Sequence, residues 1–425
     1  MNPKQVRSGH ASAGSGAGTA GRAATRIAPT VNLSLATIGF TINFWAWAVL
    51  GPLGPGIKER LGLSYPAQSL LVAVPVVVGS VGRIPVGALT DRYGARVMFP
   101  AVSLLSVVPV LVLASSESSY PVMLVAGFFL GVAGAAFSVG VPHVSAWYPP
   151  ARRGLALGVF GMGTAGTAIA SFSTVPLADR YGWAAPFLIV AALLTAFALV
   201  AGVVVRDAPG RVRAAHPLRG SITAARLPVT WQLSFLYAVG FGGFVAFSVY
   251  LPSYLRTAYQ LSVSDAALRT AGFVVLAVLA RPVGGWLSDH LHPVPVLVSC
   301  FSGVAGLAVI QAFQPPLVPG ATIAFLGMAA FLGAASGAVF ALVGMVAPGD
   351  KLGAVTGLVG AAGGLGGFVP PLVMGWVYSV EGSYAIGMML LSDVALAAAV
   401  YTAVKLAALR HRPESAGNAT HPADR

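Results

Sequence analysis

The chain has 425 residues, of which 56% are hydrophobic and only 9% charged, with a formal net charge of +13. A soluble globular chain carries about 25% charged residues, so this one cannot cover itself with a charged surface, and lipid is its expected solvent. The basic excess is not gathered on one polar domain; it punctuates the ends of apolar runs, which argues against a nucleic-acid partner and marks topology determinants instead.

Residues 1–30 are rich in Gly, Ala and Ser and read as a disordered cytoplasmic tail. Runs apolar enough to cross a bilayer, at about 20 residues each, follow at 31–53, 66–89, 97–115, 120–146, 155–177 and 184–205. The polar stretch 206–228, with Arg206, Arg211, Arg213, Arg219 and Arg226, is the one substantial linker. Six more runs occupy 231–254, 265–288, 294–314, 318–346, 352–377 and 383–408, and a short tail closes the chain at 410–425. The expected fold is an all-α membrane protein of twelve spans, with six-helix halves at 31–205 and 229–409. The 52 glycines and 30 prolines are compatible with such spans. Cys300 stands alone in an apolar run, so no internal disulfide is available.

The basic residues orient the molecule. With the N-terminus inside, eighteen of the 25 Lys and Arg fall on the inner side. Only Lys58, Arg60, Arg180, Arg256 and Arg269 fall outside. The positive-inside rule then places both termini and the linker in the cytoplasm, with the chain in the cell membrane.

Two arginines remain, Arg83 and Arg281, both inside spans. An arginine in hydrocarbon costs about 2.5–3.5 kcal/mol on insertion scales, so each requires a polar cavity, an anion or backbone carbonyls. Each lies eight residues before a loop aspartate, Asp91 or Asp289. At 1.5 Å per residue that is roughly 12 Å, near the middle of the bilayer. The two mark an internal repeat. Arg83-Ile-Pro-Val-Gly-Ala-Leu-Thr-Asp91 aligns with Arg281-Pro-Val-Gly-Gly-Trp-Leu-Ser-Asp289. Gly154, Gly158 and Gly161 likewise match Gly353, Gly357 and Gly360, and Gly134 and Phe137 match Gly337 and Phe340. Paired six-helix halves with a site between them are a known transporter design.

The stretch Gly87-Ala-Leu-Thr-Asp91-Arg92-Tyr-Gly94-Ala-Arg96 resembles the signature loop of the major facilitator superfamily, in which an aspartate and basic residues pair across helix ends. Its second copy, ending Asp289-His290, is degenerate. Within that superfamily the chain resembles the nitrate/nitrite porter family over most of residues 31–400. The matching pieces are Arg83-Ile84-Pro85, Gly134-Ala-Ala-Phe137, Tyr237-Ala-Val-Gly240-Phe241, Ala280-Arg281-Pro282 and the run Thr356 to Phe368. The resemblance implies a planar anion, nitrate or nitrite, held between Arg83 and Arg281. It also implies a contact from Tyr237 and an aromatic clamp from Phe137 and Phe241. The glycine-rich stretches with Gly158, Gly161, Gly163 and Gly166, and with Gly357, Gly360, Gly363, Gly364 and Gly367, would slide as the halves rock. No cofactor, metal or catalytic group is implied, and the expected state is a lipid-embedded monomer.

Elementary chemistry agrees with this reading. Guanidinium is planar, permanently charged and a fork of donors, which suits flat oxyanions. Tyr237 and Phe241 are four apart and share a helix face, though packing serves them as well as substrate contact. In two places the sequence departs from the family: Thr164 and Ser336 stand where asparagines are usual. Thr164 is expected near the anion, with a backbone bond as its plain alternative. His143 is expected at the membrane interface, and Asp393 in a helix-packing role on a peripheral span. A carrier of another small anion, of the monocarboxylate or oxalate exchanger type, is the competing function.

Overall fold

The computed structural model describes residues 15–209, 217–348 and 351–406. The described residues are almost wholly helical, with no strand among them. Among the described residues, eleven helices are long and apolar enough to cross a membrane. We label the spans α1 (Pro29–Gly54), α2 (Leu70–Tyr93), α3 (Ala95–Ser115), α4 (Tyr120–Trp147), α5 (Pro150–Tyr181) and α6 (Ala184–Val204). After the linker come α7 (Pro228–Ser248), α8 (Leu268–Leu291), α9 (Pro293–Ala312), α10 (Leu317–Val346) and the shorter α11 (Leu352–Gly366); α12 is Ala385–Lys405.

The outward faces explain why these helices need lipid. Leu105, Val108, Leu199, Val203, Leu268 and Val404 are each more than 60% exposed. A soluble monomer rarely carries so much contiguous apolar surface. Inside, small residues let backbones meet, as membrane helices do in place of a hydrophobic drive.

The two sets of six helices pack alike. In the first, α1 lies against α5, α2 against α4, and α3 against α6; in the second, α7 lies against α11, α8 against α10, and α9 against α12. Two crossings tie the sets together, α2 along α11 and α5 along α8. Glycines sit at both. A Cβ at Gly87 or Gly357 would collide with the α11 or α2 backbone, and one at Gly154 or Gly158 with α8.

Some boundaries differ from the sequence reading. The run expected at 352–377 is two helices, Leu352–Gly366 and Val369–Glu381. The break follows from Gly366 and Gly367 with Pro370 and Pro371 just beyond, where glycine weakens the helix and proline removes donors. The expected N-terminal tail is helical from Ser15 onward, where alanines recur; residues 1–14 lie outside the described residues. The linker carries a short helix, Pro217–Ala225, and its residues 210–216 lie outside the described ones, as does the tail 410–425. Asp393 is exposed on α12.

Candidate anion site

Arg83 on α2 and Arg281 on α8 are each 2% exposed. Among the described residues neither pairs with a carboxylate. Their partners are backbone carbonyls instead. Arg83 donates from Nε to Gly134 O at 3.2 Å and from Nη1 to Gly360 O at 2.7 Å. Arg281 donates from Nη1 to Gly161 O at 3.0 Å. Each arginine thus reaches across to the other set of helices. The two acceptors, Gly360 on α11 and Gly161 on α5, are the repeat partners found in the sequence.

The arrangement is symmetric in path but not in saturation. Arg281 Nε and Nη2 are buried without a hydrogen-bond partner. They belong to the residue that lines a narrow cavity of about 10 Å³, walled also by Phe137, Leu157, Gly158, Tyr237, Ser336 and Phe340. That volume suits about one water molecule, so a larger solute could enter only if the helices parted.

Aromatic rings surround both guanidinium groups. Phe241 is shared: its centroid lies 5.7 Å from Arg83 Cζ and 5.0 Å from Arg281 Cζ. Phe137 lies 5.4 Å from Arg83 Cζ. Tyr237 stacks between them, with centroids 4.9 Å from Phe241 and 6.2 Å from Phe137 and planes within 10°. Cation–π attraction contributes about 0.5–2 kcal/mol per contact, which helps hold cations where water is scarce. Sequence reasoning named these three rings and missed two others. Phe44 lies 5.9 Å from Arg83 Cζ and Phe244 lies 5.3 Å from Arg281 Cζ. Phe44 on α1 and Phe244 on α7 lie 200 residues apart, close to the 198 that separates the arginines. Phe340, edge-on to Tyr237 at 4.6 Å and to Phe137 at 4.7 Å, completes the cluster.

Thr164 lies in a 3₁₀ turn, Met162–Thr164, one turn along α5 from the carbonyl that Arg281 holds. Its hydroxyl donates to Gly161 O at 3.0 Å, so this carbonyl accepts from both residues. Ser336 likewise donates to its own helix, at Leu332 O. The remaining glycines divide between two duties. Gly161 and Gly360 face the arginine stems, and Gly364 admits Ser80 of α2. Gly163 and Gly166 receive α1 at Phe40 and Thr41, while Gly363 and Gly367 receive α7 at Tyr237 and Val245.

The signature loop makes a helix cap. Asp91 accepts from Gly353 N at 2.8 Å and Ala354 N at 2.9 Å, the first amides of α11. Asp289 accepts from Gly154 N and Leu155 N of α5, both at 2.7 Å. A carboxylate at a helix N-terminus meets unpaired donors and the positive end of the helix dipole. Of the basic residues in the loop, Arg92 lies over the Tyr93 ring, and Arg96 Nε donates to Gly202 O at 3.5 Å. Gly94 turns the chain with φ near +84°, and a Cβ there would strike Asp207. Asp207, unnoticed in the sequence, caps α3 at Ala95 N. His143 is buried within the protein, at 5% exposure.

Comparison with known proteins agrees with this architecture. A sequence profile of the Major Facilitator Superfamily matches residues 36–371. The "Probable nitrate/nitrite transporter NarK2" of Mycobacterium tuberculosis (strain ATCC 25618 / H37Rv) is 50% identical over 377 residues, which is 88% of this chain and 95% of that protein. The "Nitrite extrusion protein" of Bacillus subtilis (strain 168) is 38% identical over 371 residues, covering 87% and 93%. Among solved structures, the human organic anion transporter MFSD10 superposes with a TM-score of 0.75 at 15% identity, over 88% of this chain and 99% of that one. The transporter FucP in its outward conformation gives 0.70 at 18%, over the same shares. At such identity these two speak for the fold alone. The chain belongs to the major facilitator superfamily and, within it, to the nitrate/nitrite porters.

Proposed function

We propose that the chain is a secondary transporter of nitrate and nitrite, and that the anion binds between Arg83 and Arg281. The observation that carries this reading is the pair of buried arginines with no carboxylate partner, one of which keeps Nε and Nη2 unengaged beside a cavity. A buried cation without a fixed counter-ion calls for a mobile one. Relatives that bear the names of nitrate and nitrite transporters at 38–50% identity support the choice of anion.

The mechanism follows from the charges. Two unit charges about 7–10 Å apart repel by roughly 2 kcal/mol at an effective dielectric of about 20. A monoanion between them replaces that repulsion with two attractions and fills both forks. Occupancy then favours the state in which the helices close on the site, because differential binding is what shifts a population. Tyr237, Phe137 and Phe241 sandwich the flat anion, and Thr164 supports Arg281 through the carbonyl they share. The glycine crossings, α2 on α11 and α5 on α8, are where the two halves slide. The arginine bias of the loops places the linker and both termini in the cytoplasm, and the working unit is the monomer.

The test is counterflow in liposomes. Vesicles holding nitrite should take up nitrate, and chloride should fail to drive the exchange. If formate or oxalate drove it and nitrite did not, the protein would be a carrier of another small anion.

A further inference from the structure

On the linker side of the arginine pair a second cavity, of about 460 Å³, opens among α4, α5 and α10. The same three helices wall both cavities. On α5, Gly161 and Leu157 line the central one and Arg153 the second, at intervals of four residues that share a helix face. On α10, Phe340 lines the central cavity and Gly344 the second, again four apart. On α4, Phe137 lines the first, and His143 and Ser145 the second. About one helical turn, carrying the side chains of Leu157 and Phe340, separates the two.

Three polar atoms on this second wall have no hydrogen-bond partner: Arg153 Nε, His143 Nε2 and Ser145 Oγ. His143 and Ser145 are 5% and 2% exposed, so water at the surface does not serve them. Arg153 is fixed by its far edge, where Nη1 donates to Gly344 O at 2.6 Å. Glycine at 344 makes room for that stem, since a Cβ there would lie 2.8 Å from Arg153 Cδ. The cavity also has two carboxylates, Asp91 and Asp207. Both are engaged with helix N-termini, Asp91 with α11 and Asp207 with α3. Each N-terminus carries about half a positive charge, which offsets each carboxylate in part, and Arg153 is the one Lys or Arg among the residues lining the cavity.

We propose that this cavity is a second anion station, in which Arg153, Ser145 and His143 receive the small oxyanion on its way between Arg281 and the linker side. The proposal rests on the transport reading given above. Arg153 supplies charge and an N–H, Ser145 a hydroxyl, and His143 a third donor in the tautomer that carries its proton on Nε2. Leu157 and Phe340 form the barrier the anion passes between the two stations.

Kinetics measured from each face test this, in liposomes holding the protein in a single orientation. Arg153→Gln should raise the half-saturating nitrate concentration on the linker face about tenfold. The opposite face should stay within about twofold, and Arg153→Lys, which keeps the charge, should recover most of the loss. Ser145→Ala should move the linker-face value in the same direction by a smaller factor. A residue that only ties α5 to α10 would behave differently. Its loss would favour the state open to the linker side and lower the half-saturating concentration there. That result, an equal change on both faces, or no change would overturn the station while wild-type exchange stood. Wild-type liposomes that exchanged neither nitrate nor nitrite would sink the transport reading and the station with it.

Discussion

The α2–α11 crossing and the α5–α8 crossing are built from matching parts. In each, an arginine reaches the carbonyl of a glycine on the opposing helix, and an aspartate two turns away accepts from two amides within the first two turns of that helix. They differ in how fully the arginine is used. Arg83 spends Nε and Nη1 on two carbonyls, whereas Arg281 spends Nη1 on one and leaves Nε and Nη2 without a partner. The helices differ too: α5 tightens into a 3₁₀ turn beyond Gly161, while α11 breaks at Gly367. A duplicated scaffold has thus kept its latches alike and let its ligand-facing groups diverge. Under the proposed function, Arg281 would grip the anion and Arg83 would report its presence to α11.

Lysine substitutions separate those two duties and carry the largest expected effects. Arg281→Lys keeps the charge but loses the fork, at a cost of about 2 kcal/mol, or about 30-fold in the nitrate Kd. Arg83→Lys should weaken binding less while slowing exchange as severely, because its bond to Gly360 O is part of closure. Equilibrium binding and counterflow on the same purified variants distinguish the two. Identical losses in Kd for both would remove the asymmetry.

The caps come next. Asp91→Asn and Asp289→Asn each weaken two charge-assisted bonds at a helix N-terminus, at about 1–2 kcal/mol. Either should shift the population about tenfold toward the state open on the linker side. Spin labels at Tyr93 and His290, in a Cys300→Ser background, would report a longer distance in both variants. A change in one alone would show that a single crossing bears the closure.

Methyl groups at the crossings probe the same comparison sterically. Gly357→Ala and Gly158→Ala both force a Cβ against opposing backbone, which cannot yield as a side chain can. Exchange should fall to about a tenth in each if one displaced crossing costs about 1.4 kcal/mol. Gly272→Ala on α8 meets open space and should match wild type. Thr164→Val is milder still. It removes one hydroxyl bond to Gly161 O, worth about 1 kcal/mol, and should raise the nitrate Kd by about fivefold at most. A loss as large as that of Arg281→Lys would mean that the hydroxyl touches the anion itself.

Much of this was legible in the sequence because its causes are local or repeated. Span lengths follow from hydropathy, and the arginine pair stood out because charge in an apolar run is costly. The repeat matched Gly161 with Gly360 as it matched Arg83 with Arg281, but did not say which glycine each arginine reaches. Other features depend on packing that no local pattern encodes. Asp91 and Asp289 find backbone amides because the helices opposite present donors at the right height. His143 is buried because α4 turns it toward Phe99, with ring centroids 6.2 Å apart, and toward the second cavity. The unequal saturation of the two arginines is a matter of a single hydrogen bond, invisible in matching motifs.

The central claim is that one anion sits between Arg83 and Arg281. Uptake of isotopically labelled nitrate into nitrite-loaded liposomes tests it most directly, with wild type, Arg83→Ala and Arg281→Ala compared at equal amounts of monodisperse protein. The account predicts exchange by wild type and none above empty liposomes for either alanine variant. Exchange at the wild-type rate by either variant would contradict it and place the anion elsewhere.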